Sequence, residues 1–294
     1  MIRIILFLLT NLSVIFILNI FLKIIGINIG KIYFITIISS ILGFSSSLIS
    51  LLLSKWIALK TINGKIIKTP KNNFENWILN TIKKQAKKVN IKIPQIAIYK
   101  SLDINAFATG PSKNNSLIAI SYGLIKNMNK EEIEAVLAHE ISHISNGDMV
   151  TMTLIQGVLN TIVILFSKII TQIFSNNLFN NNKEENINIK ENSFLYYIIS
   201  SFLEFTLGIL ASIIIMWFSR YREFYADSGS AKIVGCNKMI SALKTLQIHH
   251  EPKELNNSIS NFCINGKSKK IFNLFLSHPS LKKRISALYK KKYF

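Results

Sequence analysis

Apolar residues are segregated along this chain into four long runs, with lysine-rich polar sequence after the second and again after the fourth. The runs are Ile4–Leu22, Ile32–Leu53, Thr151–Phe174 and Phe194–Phe218. Each approaches or exceeds the roughly 20 residues a helix needs to cross the hydrocarbon core of a bilayer. The first is read as a retained anchor, because its apolar core is longer than that of a signal peptide and no small-x-small cleavage site follows before Lys23. With the second it makes an N-terminal helical hairpin. The third is less uniform. Thr153, Gln156, Asn160, Ser167, Lys168 and Thr171 fall on roughly one helical face, and that stripe is expected to face protein or a wet cavity instead of lipid.

Between the runs the periodicity shortens and changes type. Phe74, Trp77, Ile78, Thr81, Ile82, Ala86 and Val89 recur at helical spacing with lysines opposite, which predicts an amphipathic helix lying on the domain or on the membrane surface. Pro94–Lys100 and Ser116–Ser121 read as short strands, and Asp103–Asn115, rich in Gly, Pro, Ser and Asn, suits a hairpin or edge loop between them. A helix follows Asn129, a good N-cap with Glu132 three residues on. Ile133, Val136, Leu137, Ile141 and Ile144 supply its apolar face, and Asn146-Gly147 ends it. Beyond Ser219 the pattern predicts helices over 220–234 and 238–250. A last one starts at about Ser280, with Pro279 in its first turn. The expected fold class is a mainly α membrane protein, with four hydrophobic helices and an α+β domain outside the membrane carrying a small β-hairpin or sheet. Its divisions are 1–54 (anchoring hairpin), 55–150 (first part of the α+β domain), 151–218 (second hydrophobic pair) and 219–294 (second part).

Composition agrees with a membrane location: apolar residues make up 49% and charged ones 17% of 294 residues, with mean hydropathy +0.33. The net charge of +20 invites a nucleic-acid reading, but its distribution argues otherwise. Of 35 basic residues, 14 lie between Lys55 and Lys130 and 15 follow Phe218, and no nucleic-acid motif accompanies them. Both regions follow an even number of apolar runs, so both lie on one side of the membrane. The positive-inside rule makes that side cytoplasmic, with Lys55, Lys60, Arg220 and Arg222 beside the membrane ends. The expected location is a membrane, with both basic regions on its cytoplasmic side. Cys236 and Cys263 lack CxxC spacing and are read as small apolar side chains, not as a disulfide.

The candidate chemistry sits in the well-capped helix. His139-Glu140-Ile141-Ser142-His143 is an HExxH pattern, which a chain of this composition would contain roughly 0.003 times by accident. Four residues is just over one turn, so both imidazoles leave one face and can hold one zinc ion per subunit, with Glu140 aimed at the water to be activated. Two solvated histidines on a surface helix are the plain alternative. Catalytic zinc also needs a third protein ligand. Glu204 and Glu223 are the distal carboxylates available. Glu204 lies inside the fourth apolar run, where its expected task is to pair with the polar stripe of the third, Lys168 among it. Glu223 lies just past the membrane end, with Asp227 on the same helical face. The favoured reading makes Glu223 the ligand and Asp227 the acid behind a zinc histidine. A surface ion pair of Glu223 with Arg220 or Arg222 is the alternative.

The stretches VLAHEISHISNGDMVTMTLIQG (136–157) and SRYREFYADSGSA (219–231), with NAFATG (105–110) and SHPSLKKRI (277–285), resemble the HtpX family of bacterial inner-membrane heat-shock proteases, gluzincin-type enzymes related to the CAAX prenyl proteases. The resemblance covers nearly the whole chain. It implies a zinc endopeptidase of the bacterial inner (cytoplasmic) membrane, with a cytoplasmic zincin-like α+β catalytic domain in two parts, 55–150 and 219–294, acting on misfolded or damaged membrane proteins at the cytoplasmic face. It implies zinc on His139, His143 and Glu223, catalysis by Glu140 and support from Asp227. It also implies an edge strand at Asn105 and Ala106 that pairs with substrate backbone, and His278 and Arg284 near the transition-state oxyanion. Without the family, His278 is a helix-start residue and Arg284 a solvated cation. A non-enzymatic scaffold or chaperone with a structural zinc site, and a helical transporter, are the competing functions. The expected partners are protein substrates and the lipid bilayer, with no nucleic acid.

Overall fold

The computed structural model describes residues 29–179, 189–250 and 278–293. The first apolar run and Cys263 lie outside that range. The described elements are α1 (Ile29–Thr61), β1 (Lys65–Ile66), α2 (Asn73–Lys88), β2 (Gln95–Tyr99), β3 (Ala106–Ser112), β4 (Asn115–Ser121), α3 (Tyr122–Asn127), α4 (Lys130–Asn146), α5 (Asp148–Phe179), α6 (Ile189–Val234), α7 (Cys236–His250) and α8 (Leu281–Tyr289). The fold is mostly helical with one small mixed sheet. Among the described residues, three helices are long and apolar enough to cross a membrane, over Ile37–Thr61, Asp148–Phe174 and Tyr196–Val234. They carry the second, third and fourth apolar runs.

The chain divides into two compact units, one formed by described residues up to Ile49 with Thr153–Ile215, the other by Ser50–Met152 with the described part of Met216–Phe294. In the first, α1 and α5 approach closely at Gly43, where a Cβ would stand 2.6 Å from the Thr161 backbone nitrogen. Such small-residue contacts are what bring apolar helices together without a hydrophobic drive between them. The polar stripe of α5 is only partly turned inward: Ser167 and Thr171 are buried but Gln156 is exposed. Glu204 does meet that stripe, its Oε1 lying 3.4 Å from Ser167 Oγ and 3.5 Å from Ser200 Oγ.

The second unit is built on the sheet, ordered β1-β2-β4-β3. β2 and β4 run parallel, while β1 and β3 pair antiparallel at the two edges. The Asp103–Asn115 segment is therefore a full edge strand over most of its length. Its turn-like composition reflects a register shift between Thr109 and Ser112. There Gly110 has φ +145° and a Cβ would meet Asn115 O at 2.3 Å, a position only glycine tolerates. β4 is buried from Ser116 to Ser121, as a strand with neighbours on both edges and helices packed on it must be.

Helix α2 starts at Asn72, whose side chain accepts from Glu75 N. It buries Ile78 and Ile82 in the same core that holds Ile118, Ile120, Ile133 and Leu137, and Gln85 Nε2 donates to Glu134 O on α4. Its apolar face thus meets α4 and the sheet, not the membrane. α4 is capped at both ends as its sequence predicts. Asn129 and Glu132 form a reciprocal capping box, and Gly147 closes the helix in the left-handed region with φ 67°. Pro279 falls before Ser280, the N-cap of α8, not in the first turn.

Candidate metal centre

α4 is buried around nearly its whole circumference, since α2, the sheet, α6 and α7 all contribute to one core with it. His139 and Glu140 are each only 7% exposed, which disposes of two solvated surface histidines. α6 reaches α4 through a stretch of small residues. Ser230 Oγ donates to Ala135 O at 2.8 Å, and Gly229 sits so near that a Cβ there would lie 2.5 Å from Ser142 Oγ. That contact brings Glu223 and Asp227, six and two residues upstream, to the histidines.

His139 Nε2 and His143 Nε2 are 3.1 Å apart. Glu223 completes the triangle, Oε2 lying 3.6 Å from His139 Nε2 and Oε1 3.4 Å from His143 Nε2. Ligand atoms bound about 2.0–2.2 Å from a tetrahedral zinc ion stand about 3.3 Å apart, so the donor set fits one. Its electrostatics fit too. Each imidazole has its Nδ1 turned to a carboxylate: His139 to Asp227 Oδ1 at 3.0 Å, His143 to Asp148 Oδ2 at 2.7 Å. A carboxylate beside each Nδ1, hydrogen-bonded to His143 and within ion-pair distance of His139, favours the tautomer that leaves the two Nε2 lone pairs facing each other and the Glu223 carboxylate, a cluster that calls for a cation. His143 is held above its ordinary pKa: burial acts to lower it, but the Glu223 hydrogen bond and charge and the Glu140 charge outweigh burial. The field that favours a proton there favours a metal ion equally. Glu140 is raised above the ordinary carboxylate range by burial, with His139 and His143 pulling it back down; a carboxyl so poised suits a general base.

Glu223 is a buried residue, not a surface one. It is 4% exposed and is met by Arg284 Nη1 at 2.9 Å and His278 Nδ1 at 3.0 Å. Arg284 is no solvated cation either. It is buried, donates from Nε and Nη2 to the two Asp227 oxygens at 2.8 and 2.6 Å, and its charge is secured by Asp227, Glu223 and Glu140 against the opposing effect of burial. It stands behind the two carboxylates and not in the wall of the cavity, whereas His278 does line that wall.

The cavity is about 510 Å³ and opens onto the β3 edge, with Asn105–Ala108 on one side and His139, Glu140, His143 and Glu223 on the other. Asp148 was not singled out from sequence. It is the first residue of α5 and is buried, with one oxygen on His143 and the other on Arg222; Arg222 also donates toward Asn146 O. The only hint in the sequence was an acid directly after the Asn146-Gly147 stop, and that reads equally well as a helix-start residue.

Comparison with known proteins agrees with this geometry. Residues 72–292 match the model of Peptidase family M48. The chain is 58% identical over 293 residues to protease HtpX of Buchnera aphidicola subsp. Schizaphis graminum, with 100% of each chain covered. It is 59% identical over 295 residues to protease HtpX of Wigglesworthia glossinidia brevipalpis, covering 100% of this chain and 99% of that one. The crystal structure of S. mikatae Ste24p has a similar fold, with TM-score 0.62 at 21% identity over 94% of this chain and 62% of that one. With a family match over residues 72–292 and full-length identity of this order, the chain belongs to peptidase family M48.

Proposed function

We propose that the chain is a zinc-dependent endopeptidase of the bacterial inner membrane that cuts misfolded or damaged membrane proteins on the cytoplasmic side. His139, His143 and Glu223 hold the ion, one per subunit, and residues 55–150 and 219–294 are the two parts of the catalytic domain. The observation that carries this reading is the triangle of two Nε2 atoms and one carboxylate in the cavity wall, with Glu140 beside it. A zinc ion held there would supply Lewis acidity, polarising the scissile carbonyl and easing deprotonation of water to near-neutral pH.

The chain's own groups do the rest. Glu140 takes the proton of the attacking water and returns it to the leaving amine. Asp227 and Asp148 hold the two imidazoles in the tautomer that points Nε2 inward. Arg284 keeps Glu223 and Asp227 ionised in a buried setting. The β3 edge offers backbone N–H and C=O groups beside the cavity, so an extended peptide can add to the sheet there. Requiring an extended backbone selects unfolded segments, and anchoring in the bilayer selects membrane proteins. The cytoplasmic side is supported by the lysines and arginines beside the apolar runs. A structural zinc site is disfavoured, because such sites are closed by four protein ligands and this donor set opens onto a cavity.

The test is Glu140→Gln in the purified full-length protein. It should retain zinc and lose cleavage of an unfolded membrane-protein substrate. Cleavage at the wild-type rate with metal retained would refute the mechanism.

A further inference from the structure

The exposed face of α6 changes its chemistry where the apolar run ends. Leu210, Ile214, Trp217, Tyr221 and Tyr225 follow one another at steps of three or four residues, hence along one stripe, and all are exposed. Aliphatic side chains give way to Trp and Tyr within two turns. That is the order in which a helix leaves hydrocarbon and meets lipid headgroups.

The C-terminal segment is fastened at this boundary. The Tyr293 ring stacks on Phe224 with centroids 5.0 Å apart and meets Tyr225 at 5.4 Å edge-on, and Tyr293 O accepts from Ser228 Oγ at 2.8 Å. α8 ends in a left-handed turn at Lys291, φ 48°. The Lys291 and Lys292 N–H groups return to Leu288 O and Ala287 O there, so the backbone that carries these lysines is held in place. Between α8 and this tail lies a groove of about 380 Å³ lined by Lys282, Lys283, Lys290, Lys292, Phe224 and Tyr293, with no carboxylate among its lining residues.

We propose that this groove takes the phosphate headgroup of an anionic phospholipid from the leaflet at which α6 emerges, docking α8 on the membrane surface. Lys283, Lys290 and Lys292 bring three ammonium groups to one groove with no carboxylate in its lining, a setting that favours an anion. The floor of the groove continues the aromatic stripe of a membrane-crossing helix, and this makes the anion a lipid headgroup and not a free solute. An ammonium offers three donors to phosphate oxygens, and Lys292 Nζ, 5.6 Å from the Tyr293 ring centroid, has its charge held over the groove floor. The proposal rests on α6 crossing the membrane and is independent of the peptidase reading.

The experiment is hydrogen–deuterium exchange of residues 281–293 in the full-length protein. The discs contain either phosphatidylcholine alone or phosphatidylcholine mixed with phosphatidylglycerol. Each engaged lysine should favour the docked state about fivefold, so exchange should slow severalfold in the anionic discs. The K283Q/K290Q/K292Q variant changes only exposed side chains and should exchange alike in both. Equal exchange of the wild type in the two discs overturns the proposal, as does a triple variant that keeps the difference. Slowing by inorganic phosphate in phosphatidylcholine discs to the same extent also overturns it, because the site would then be one for a soluble anion.

Discussion

Asp148→Asn isolates the least expected part of the metal centre. The wild-type carboxylate meets His143 Nδ1 with one oxygen, at 2.7 Å, and Arg222 with the other. Asparagine has the same shape but only one acceptor. If its oxygen stays on His143, its NH₂ faces the Arg222 guanidinium donor to donor; if it turns over, it faces the His143 N–H instead. Either way one buried donor loses a charged acceptor, and hydrogen bonds to charged groups contribute about 1.5–3 kcal/mol. Because Asp148 touches the metal only through His143, the loss should appear as weaker binding of zinc, about ten- to a hundredfold, or roughly 1.4–2.7 kcal/mol. The assay is competition for zinc between the purified protein and a chelator of known affinity, alongside thermal unfolding of the metal-free protein to detect general damage. A dissociation constant within about twofold of wild type, in a folded variant, would refute the idea that Asp148 orients His143.

Other perturbations address how the site is assembled. Gly229→Ala gains about 1 kcal/mol of helix propensity but puts a Cβ 2.5 Å from Ser142 Oγ and 2.8 Å from Ser142 Cβ. Overpacking of about 1–3 kcal/mol should offset the gain and weaken zinc binding by displacing Glu223. Adding Ser142→Gly should make the pair non-additive by at least about 0.5 kcal/mol in chemical denaturation; strict additivity would mean that the helices do not touch there. Arg284→Met leaves the Glu223 and Asp227 carboxylates buried without their shared cation, and should lower the stability of the metal-free protein by about 3–5 kcal/mol. Zinc, replacing part of that charge, should recover much of the loss, so equal melting shifts with and without zinc would contradict the pairing. Asn129→Ala removes the cap of α4 and should cost about 1 kcal/mol; a larger loss in cleavage than in stability would give that end of the helix a role beyond folding.

Where a feature depends on neighbours in sequence, it was legible without coordinates. α4 is the clearest case: its cap, its stop and the spacing of His139, Glu140 and His143 are all set within one helix, whose 3.6-residue period converts spacing into direction. The apolar runs are equally local, since length and hydropathy alone qualify a helix to cross a bilayer. Glu223 was preferred over Glu204 because its distance from the apolar run could be counted.

What tertiary structure decided is which distant groups meet. β3 hid behind Gly110 and Pro111, because a strand that pairs on one edge with a register shift carries turn-forming residues. Arg284 joins Asp227 across 57 positions of sequence, and nothing in the pattern of basic residues marks Arg284 as buried. Asp148 and Arg222 read as ordinary end-of-helix charges until the folding of α5 and α6 against α4 brings them together at His143. A charge pair is chosen by the three-dimensional path of the backbone, and burial then makes it strong by removing the water that would screen it. The sequence by itself determined the HExxH helix and the runs apolar enough to cross a membrane; packing determined the buried charges that aim the helix's two histidines.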